Sequence, residues 1–177
     1  VYGAPQRLKS LAADIVGHCD GRSESMESFI STRGKAFIVA ATRDIAARLY
    51  EEIVALHPEW HDDAVDKGAI KVVYSGSAKD QVLVAKHVRR DAQNKIIQKR
   101  LKDADDELQL VIVKDMMLTG FDAPPLHTLY LDRPLKGALL MQTLARVNRT
   151  FRGKPSGLLV AYAPLADTLI HNSKPTR

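Results

Sequence analysis

Gln142, Arg146 and Arg149 fall at i, i+4 and i+7, which puts an amide and two guanidiniums on one stripe of a helix. Each guanidinium is a planar fork of donors that matches phosphate oxygens. The stripe therefore suits a polyanion such as a triphosphate. The plain alternative is a solvated basic face. Other chemistry is missing. A P-loop reads G-x-x-x-x-G-K-[ST] after a strand; Gly34-Lys35 lacks the upstream glycine and the hydroxyl, and Gly153-Lys154-Pro155 fails likewise, because Pro155 would break the helix that a P-loop opens. Asp105-Asp106-Glu107 is acidic but precedes its strand, so it reads as a surface turn and not as a magnesium box. No Glu-x-Lys, Asp-x-Lys, Cys/His metal spacing or G-x-S-x-G occurs.

The stripe must be carried by a helix opened by Gly137, with Leu139, Leu140, Leu144 and Val147 on its apolar face. Around it the chain alternates strands and helices. Lys35-Ala36-Phe37-Ile38-Val39-Ala40-Ala41 is a continuous apolar run, the pattern of a strand buried on both faces. Further strands are expected at 70–74, 108–113, 128–131 and 158–162. Helices are expected at 7–17, where Gly17 is a plausible stop, and after Thr42 or Asp44, either of which can cap. Residues 19–34 read as a loop with one helical turn near Met26, and 81–102 as a mostly helical, strongly basic stretch with a solvated face.

This alternation implies an α/β domain with a mainly parallel sheet and right-handed crossovers. Ligands gather at the carboxyl ends of such strands, so Thr42-Arg43, Ser75-Gly76, residues 115–122 and Asp132-Arg133 should line one edge. The 177 residues suffice for one core. The formal charge of +5 is compatible with nucleic acid. A single cysteine, Cys19, excludes an internal disulfide and fits a reducing, cytoplasmic compartment. No apolar run approaches the ~20 residues that span a bilayer.

Thr119-Gly120-Phe121-Asp122-Ala123-Pro124-Pro125, upstream of the Gln142-x-x-x-Arg146-x-x-Arg149 stripe, resembles with it the last two motifs of superfamily-two helicases and translocases. The wider wording, residues 111–124 and 141–151, is similar to the motor (R, or HsdR) subunit of type I restriction-modification enzymes. General helicases carry Gly before the first motif arginine; Ala145 stands here, as in the restriction subgroup. The resemblance runs from about Lys35 to Tyr162.

The resemblance implies a RecA-like three-layer α/β/α lobe, the second of two in such motors. A first lobe outside this sequence would hold most of the ATP and Mg2+. Arg149 would be the arginine finger on the γ-phosphate, Arg146 a second phosphate or interlobe contact, and Gln142 the residue orienting nucleotide or water. Asp122 cannot bind phosphate itself; at this nucleotide site it would accept from arginine or backbone N–H groups and couple DNA contact to the cleft. Thr119, Gly120, Thr42, Arg43, Ser75 and Gly76 would meet the DNA backbone, positioning a strand without reading sequence. Residues 1–34 would form an N-terminal helix and linker, 35–163 the lobe, and 164–177 a tail towards a further domain. Implied partners are double-stranded DNA, the first lobe and nuclease domain of the same parent chain, and modification and specificity subunits. Alone, the chain is not expected to turn over ATP. Two alternatives remain at this point: the same lobe of another superfamily-two motor, and a non-catalytic α/β module binding RNA or acidic protein.

Overall fold

The computed structural model describes residues 2–118 and 120–163; Thr119 and the 164–177 tail lie outside the described residues. The elements run α1 (Pro5–Ile30), β1 (Lys35–Val39), α2 (Arg43–Leu56), a 3-10 turn (Pro58–Trp60), β2 (Ile70–Val73), α3 (Val82–Ala85), α4 (Asp91–Lys102), β3 (Leu110–Val113), β4 (Leu126–Leu131), α5 (Gly137–Val147) and β5 (Leu158–Ala161). The strands form one sheet in the order β2-β3-β1-β4-β5, and every pair is parallel.

The apolar runs produce this sheet because it is covered on both sides. Successive side chains of a strand point to opposite faces. Ala36, Ile38, Val72, Ile112 and Tyr130 join one core with α1 and α2. Phe37, Val39, Val111, Leu129 and Leu131 join the other, with Ile97 and Leu101 of α4 and Leu140 and Val147 of α5. The result is the three-layer α/β/α arrangement expected of a RecA-like lobe. On the edge strand β5 the same apolar pattern is only half-buried.

Two readings of the sequence are corrected. Residues 19–30 are not a loop: α1 continues to Ile30. Ile15, Cys19, Ser23, Met26 and Ile30 keep helical spacing and are all buried. Gly17 and Gly21 lie on the exposed face, with nothing within 4 Å of where a side chain would begin. The helix stops at Ser31, which is left-handed at φ 59 and returns its N–H to Glu27 O at 3.1 Å. The basic 81–102 stretch is two helices, and its face is not wholly solvated. Arg100 is buried and donates to the carbonyls of Val65, Lys67 and Gly68 and to Asp106; Arg89 donates to Val72 O at 2.7 Å.

Two buried histidines set an acid limit. Burial first, then neighbouring Arg22, lowers His127 to about 3. Burial, then Arg89 and Lys86, lowers His87 to about 4. Both fall below the unfolded value of about 6.5. Under that pH the unfolded chain binds more protons than the folded one, so stability declines as pH falls. Moving from pH 7 to pH 5 is expected to cost about 2–4 kcal/mol, read as a fall in Tm of roughly 5–15 °C. A Tm unchanged over that interval would show that both imidazoles accept protons in the folded chain.

Candidate functional site

Parallel register brings the carboxyl ends of β1, β2 and β3 level: Val39 pairs with Val113, and Val113 with Val73. The segments that follow therefore converge. Thr42 is the N-cap of α2, its hydroxyl accepting from Ile45 N at 3.1 Å. Arg43 donates through Nη1 to Ser75 O at 3.0 Å and to Asp80 Oδ2 at 2.7 Å. Its guanidinium also lies 5.9 Å from the Tyr74 ring centroid. Asp80 accepts from Ser77 N as well, and the Arg43 hydrogen bond holds its carboxyl below the ordinary range. Ser75 Oγ donates to Met116 Sδ at 3.6 Å. Gly76 lies against Val88, whose Cγ1 would stand 2.5 Å from a Cβ there, so the close approach requires glycine.

Two adjoining hollows result. One, of about 400 Å³, is lined by Thr42, Arg43, Lys79, Asp80, Gln81 and Lys114. The other, of about 230 Å³, is lined by Arg43, Tyr74, Ser75, Gly76, Lys114 and Met116. Thr42, Arg43, Ser75 and Gly76 are thus brought into one groove, with Arg43 and Lys114 shared between its halves. The sequence reading missed Lys79, Asp80 and Lys114. Only Lys114 carried a local signal, since it directly follows β3.

The arginine stripe lies towards the opposite, amino edge of the sheet: Lys154 Nζ joins Val147 O at the end of α5 to Leu126 O at the start of β4, and Asp122, paired with Arg149, does not line the carboxyl edge as the sequence reading had it. In α5, Leu140, Thr143 and Val147 are buried and Gln142 is exposed. Arg146 is half-buried and donates through Nε to Leu118 O at 3.0 Å. Burial lowers its pKa, and the nearby Asp122 carboxylate opposes that. The helix ends at Val147, not at Arg149 as the sequence reading had it; Arg149 follows the Asn148 C-cap. One further turn, Arg149 N to Arg146 O at 3.5 Å, keeps it beside the stripe. Its Nε meets Asp122 Oδ2 at 3.2 Å, with the side chains 58% and 51% exposed. Gly120 is left-handed at φ 67. The expected contact of Thr119 lies outside the described residues.

Asp132-Arg133 divides. Arg133 stays at the edge and donates to Lys114 O at 2.9 Å and Asp115 Oδ1 at 2.7 Å. Arg133, then Lys114, holds the Asp115 carboxyl below its ordinary range. Asp132 does not line the edge: its side chain has no solvent exposure and is paired with Arg7 of α1. Among the described residues no cluster of three His, Cys, Asp or Glu could hold a metal ion. None of their helices is long and apolar enough to cross a membrane.

A wholly parallel, doubly covered sheet of this order, with Arg43 and Arg133 at its carboxyl edge, is a RecA-like domain. Solved structures agree on the fold. A fragment of an HsdR subunit of a type I restriction enzyme from Vibrio vulnificus YJ016 aligns with TM-score 0.57 at 13% identity, over 93% of this chain and 29% of that one. Domain 2 of the DEAD-box helicase Mss116p, solved bound to an RNA duplex, aligns with TM-score 0.51 at 19% identity, over 87% of this chain and 50% of that one. Residues 74–164 match the family model of type I restriction enzyme subunit R domain 3, and the chain belongs to that family. It is 47% identical over 172 residues to the HindI endonuclease subunit of Haemophilus influenzae, a match covering 96% of this chain and 16% of that subunit. The chain thus spans about one sixth of the length of that relative.

Proposed function

We propose that this chain is the second RecA-like motor lobe of an ATP-dependent DNA translocase, within the R subunit of a type I restriction enzyme. The observation that carries this is the 114–123 loop. It touches the Arg43 groove through Met116, which accepts from Ser75. It touches the arginine stripe through Leu118, which accepts from Arg146, and through Asp122, which forms an ion pair with Arg149. One segment thus joins a groove suited to a phosphate backbone to a pair of guanidiniums suited to a nucleotide.

The donor set fits a triphosphate. Arg149 is the finger for the γ-phosphate, Arg146 the second phosphate or interlobe contact, and Gln142 the residue orienting nucleotide or water. Asp122 keeps Arg149 aimed. ATP with Mg2+, held mainly by the first lobe, supplies the phosphoryl group whose transfer drives movement. Thr42, Arg43, Ser75, Gly76, Thr119 and Gly120 take the backbone of double-stranded DNA. The nuclease domain and the modification and specificity subunits complete the assembly. An R subunit built this way works in the cytoplasm.

The groove is tested by salt. Arg43→Ala in the full-length subunit should weaken duplex binding about equally for all sequences and reduce the slope of log K against log salt by about 1. Asp80→Asn removes a carboxylate from the same groove and frees Arg43, so it should bind more tightly. Fluorescence anisotropy across a salt series measures both. Unchanged slopes and affinities in both variants would place the DNA elsewhere.

A further inference from the structure

Lys154 is a buried charged side chain that the proposed function leaves without a role, and it lies against the end of the arginine helix. It follows Gly153, in a sequence that fails as a P-loop, and would pass for a surface lysine. It is 8% exposed. Its three ammonium donors meet three carbonyls: Leu126 O at 2.6 Å, Pro124 O at 3.0 Å and Val147 O at 3.1 Å. That saturates the group. Val147 ends α5 and lies between the two arginines; its carbonyl is one of those a helix C-terminus leaves unpaired. A cation there also meets the negative end of the helix dipole. Pro124 and Leu126 follow directly on the Asp122 turn and lead into β4. The surrounding 151–157 loop fits round the same helix end. Gly157 N donates to Asn148 Oδ1 at 2.9 Å. A Cβ on Gly157 would stand 2.3 Å from Val147 O, so glycine alone allows this approach.

We propose that Lys154 is a positioning residue, whose buried ammonium clamps the end of α5 to the Asp122 turn and so fixes where Arg146 and Arg149 point. The inference rests on the reading of those arginines as phosphate contacts. Packing alone does not account for the lysine, because burying an ammonium costs free energy that an apolar side chain of the same volume avoids. Burial lowers the amine to about 8, with Asp122 acting in the opposite sense, so the clamp stays charged at neutral pH.

Lys154→Met keeps the length of the side chain and removes its donors. In the full-length subunit, the kcat of DNA-stimulated ATP hydrolysis should fall roughly 100-fold, the scale of a misplacement of about 1 Å. KM for ATP and duplex affinity should stay within about threefold. Independently of turnover, the amides of residues 144–149 should exchange with deuterium faster, while those of β1 and β3 do not change. In an Arg149→Ala background Lys154→Met should alter kcat far less than in the parent, by no more than about tenfold, because the larger part of its effect passes through Arg149 and only the Arg146 part remains. Equal losses in both backgrounds, or faster exchange throughout the sheet, would overturn the proposal and leave Lys154 merely structural. A full rate in Lys154→Met beside a slow Arg149→Ala would also overturn it, with the finger reading intact. Full rates in both variants would remove the finger reading itself. Should Lys154→Met lose its cooperative melting transition, Lys154→Arg takes its place under the same criteria, since a larger planar guanidinium cannot place a single nitrogen among all three carbonyls.

Discussion

Replacing Arg149 by alanine in the full-length subunit is expected to slow DNA-stimulated ATP hydrolysis by roughly 10³-fold or more, within the range of an arginine that stabilises charge on a transferring phosphoryl group. The fold should not change. Arg149 is mostly exposed and its contact with Asp122 is an exposed ion pair, worth at most about 1 kcal/mol to stability. Loss of rate with an unaltered melting curve therefore separates chemistry from folding. Binding of ATP should persist, because the finger contributes mainly once charge develops in the transition state. Arg146 differs. Its Nε is engaged by Leu118 O and its guanidinium is half-buried, so its removal disturbs the loop as well as the nucleotide. Arg149→Ala turnover within about threefold of the parent would show that the stripe is surface, and the motor reading would fall with it.

Removing Arg7 is expected to have the largest effect on stability, although it lies far in sequence from either motif. Asp132 is fully buried at the end of β4 and its carboxylate is held by the Arg7 guanidinium. Arg7→Ala leaves that carboxylate without its partner, which costs about 3 kcal/mol or more. The melting temperature of the 177-residue chain should drop by roughly 6–12 °C. The double variant Arg7→Met/Asp132→Leu should recover most of this, since an apolar pair of similar size often matches a buried ion pair. A single variant that melts with the wild type would mean water reaches Asp132, and α1 would be packed more loosely than its buried residues indicate.

The sheet was legible because its signal is local. Runs such as Ala36 to Val39 are apolar at successive positions, and a strand covered on both faces needs nothing else. The arginine stripe was legible because helical spacing is a property of the chain alone. Helix α1 was cut short because Gly17 and the polar residues after it look like a boundary, whereas Cys19 joins the core that α2 and the sheet build, and Met26 and Ile30 beyond it are buried as well. The end of α5 was read two residues too far for a related reason: its C-terminus is set by the 151–157 loop folding back on it.

What the sequence determined by itself was the order of strands and helices, the α/β class, and the residue types available for phosphate. What only the tertiary structure decided was which charges face water. Lys35, Lys71, Arg100, Asp132 and Lys154 are of types that mostly face water, and all are buried. Four of them are satisfied by groups remote in sequence, Lys35 by Leu108 O, Arg100 by Gly68 O, Lys154 by Pro124 O and Asp132 by Arg7, and Lys71 by Asp62 O and Ala64 O of the loop before β2. A charge leaves water only where several partners converge on it, and that convergence comes from the packing of segments far apart in the chain.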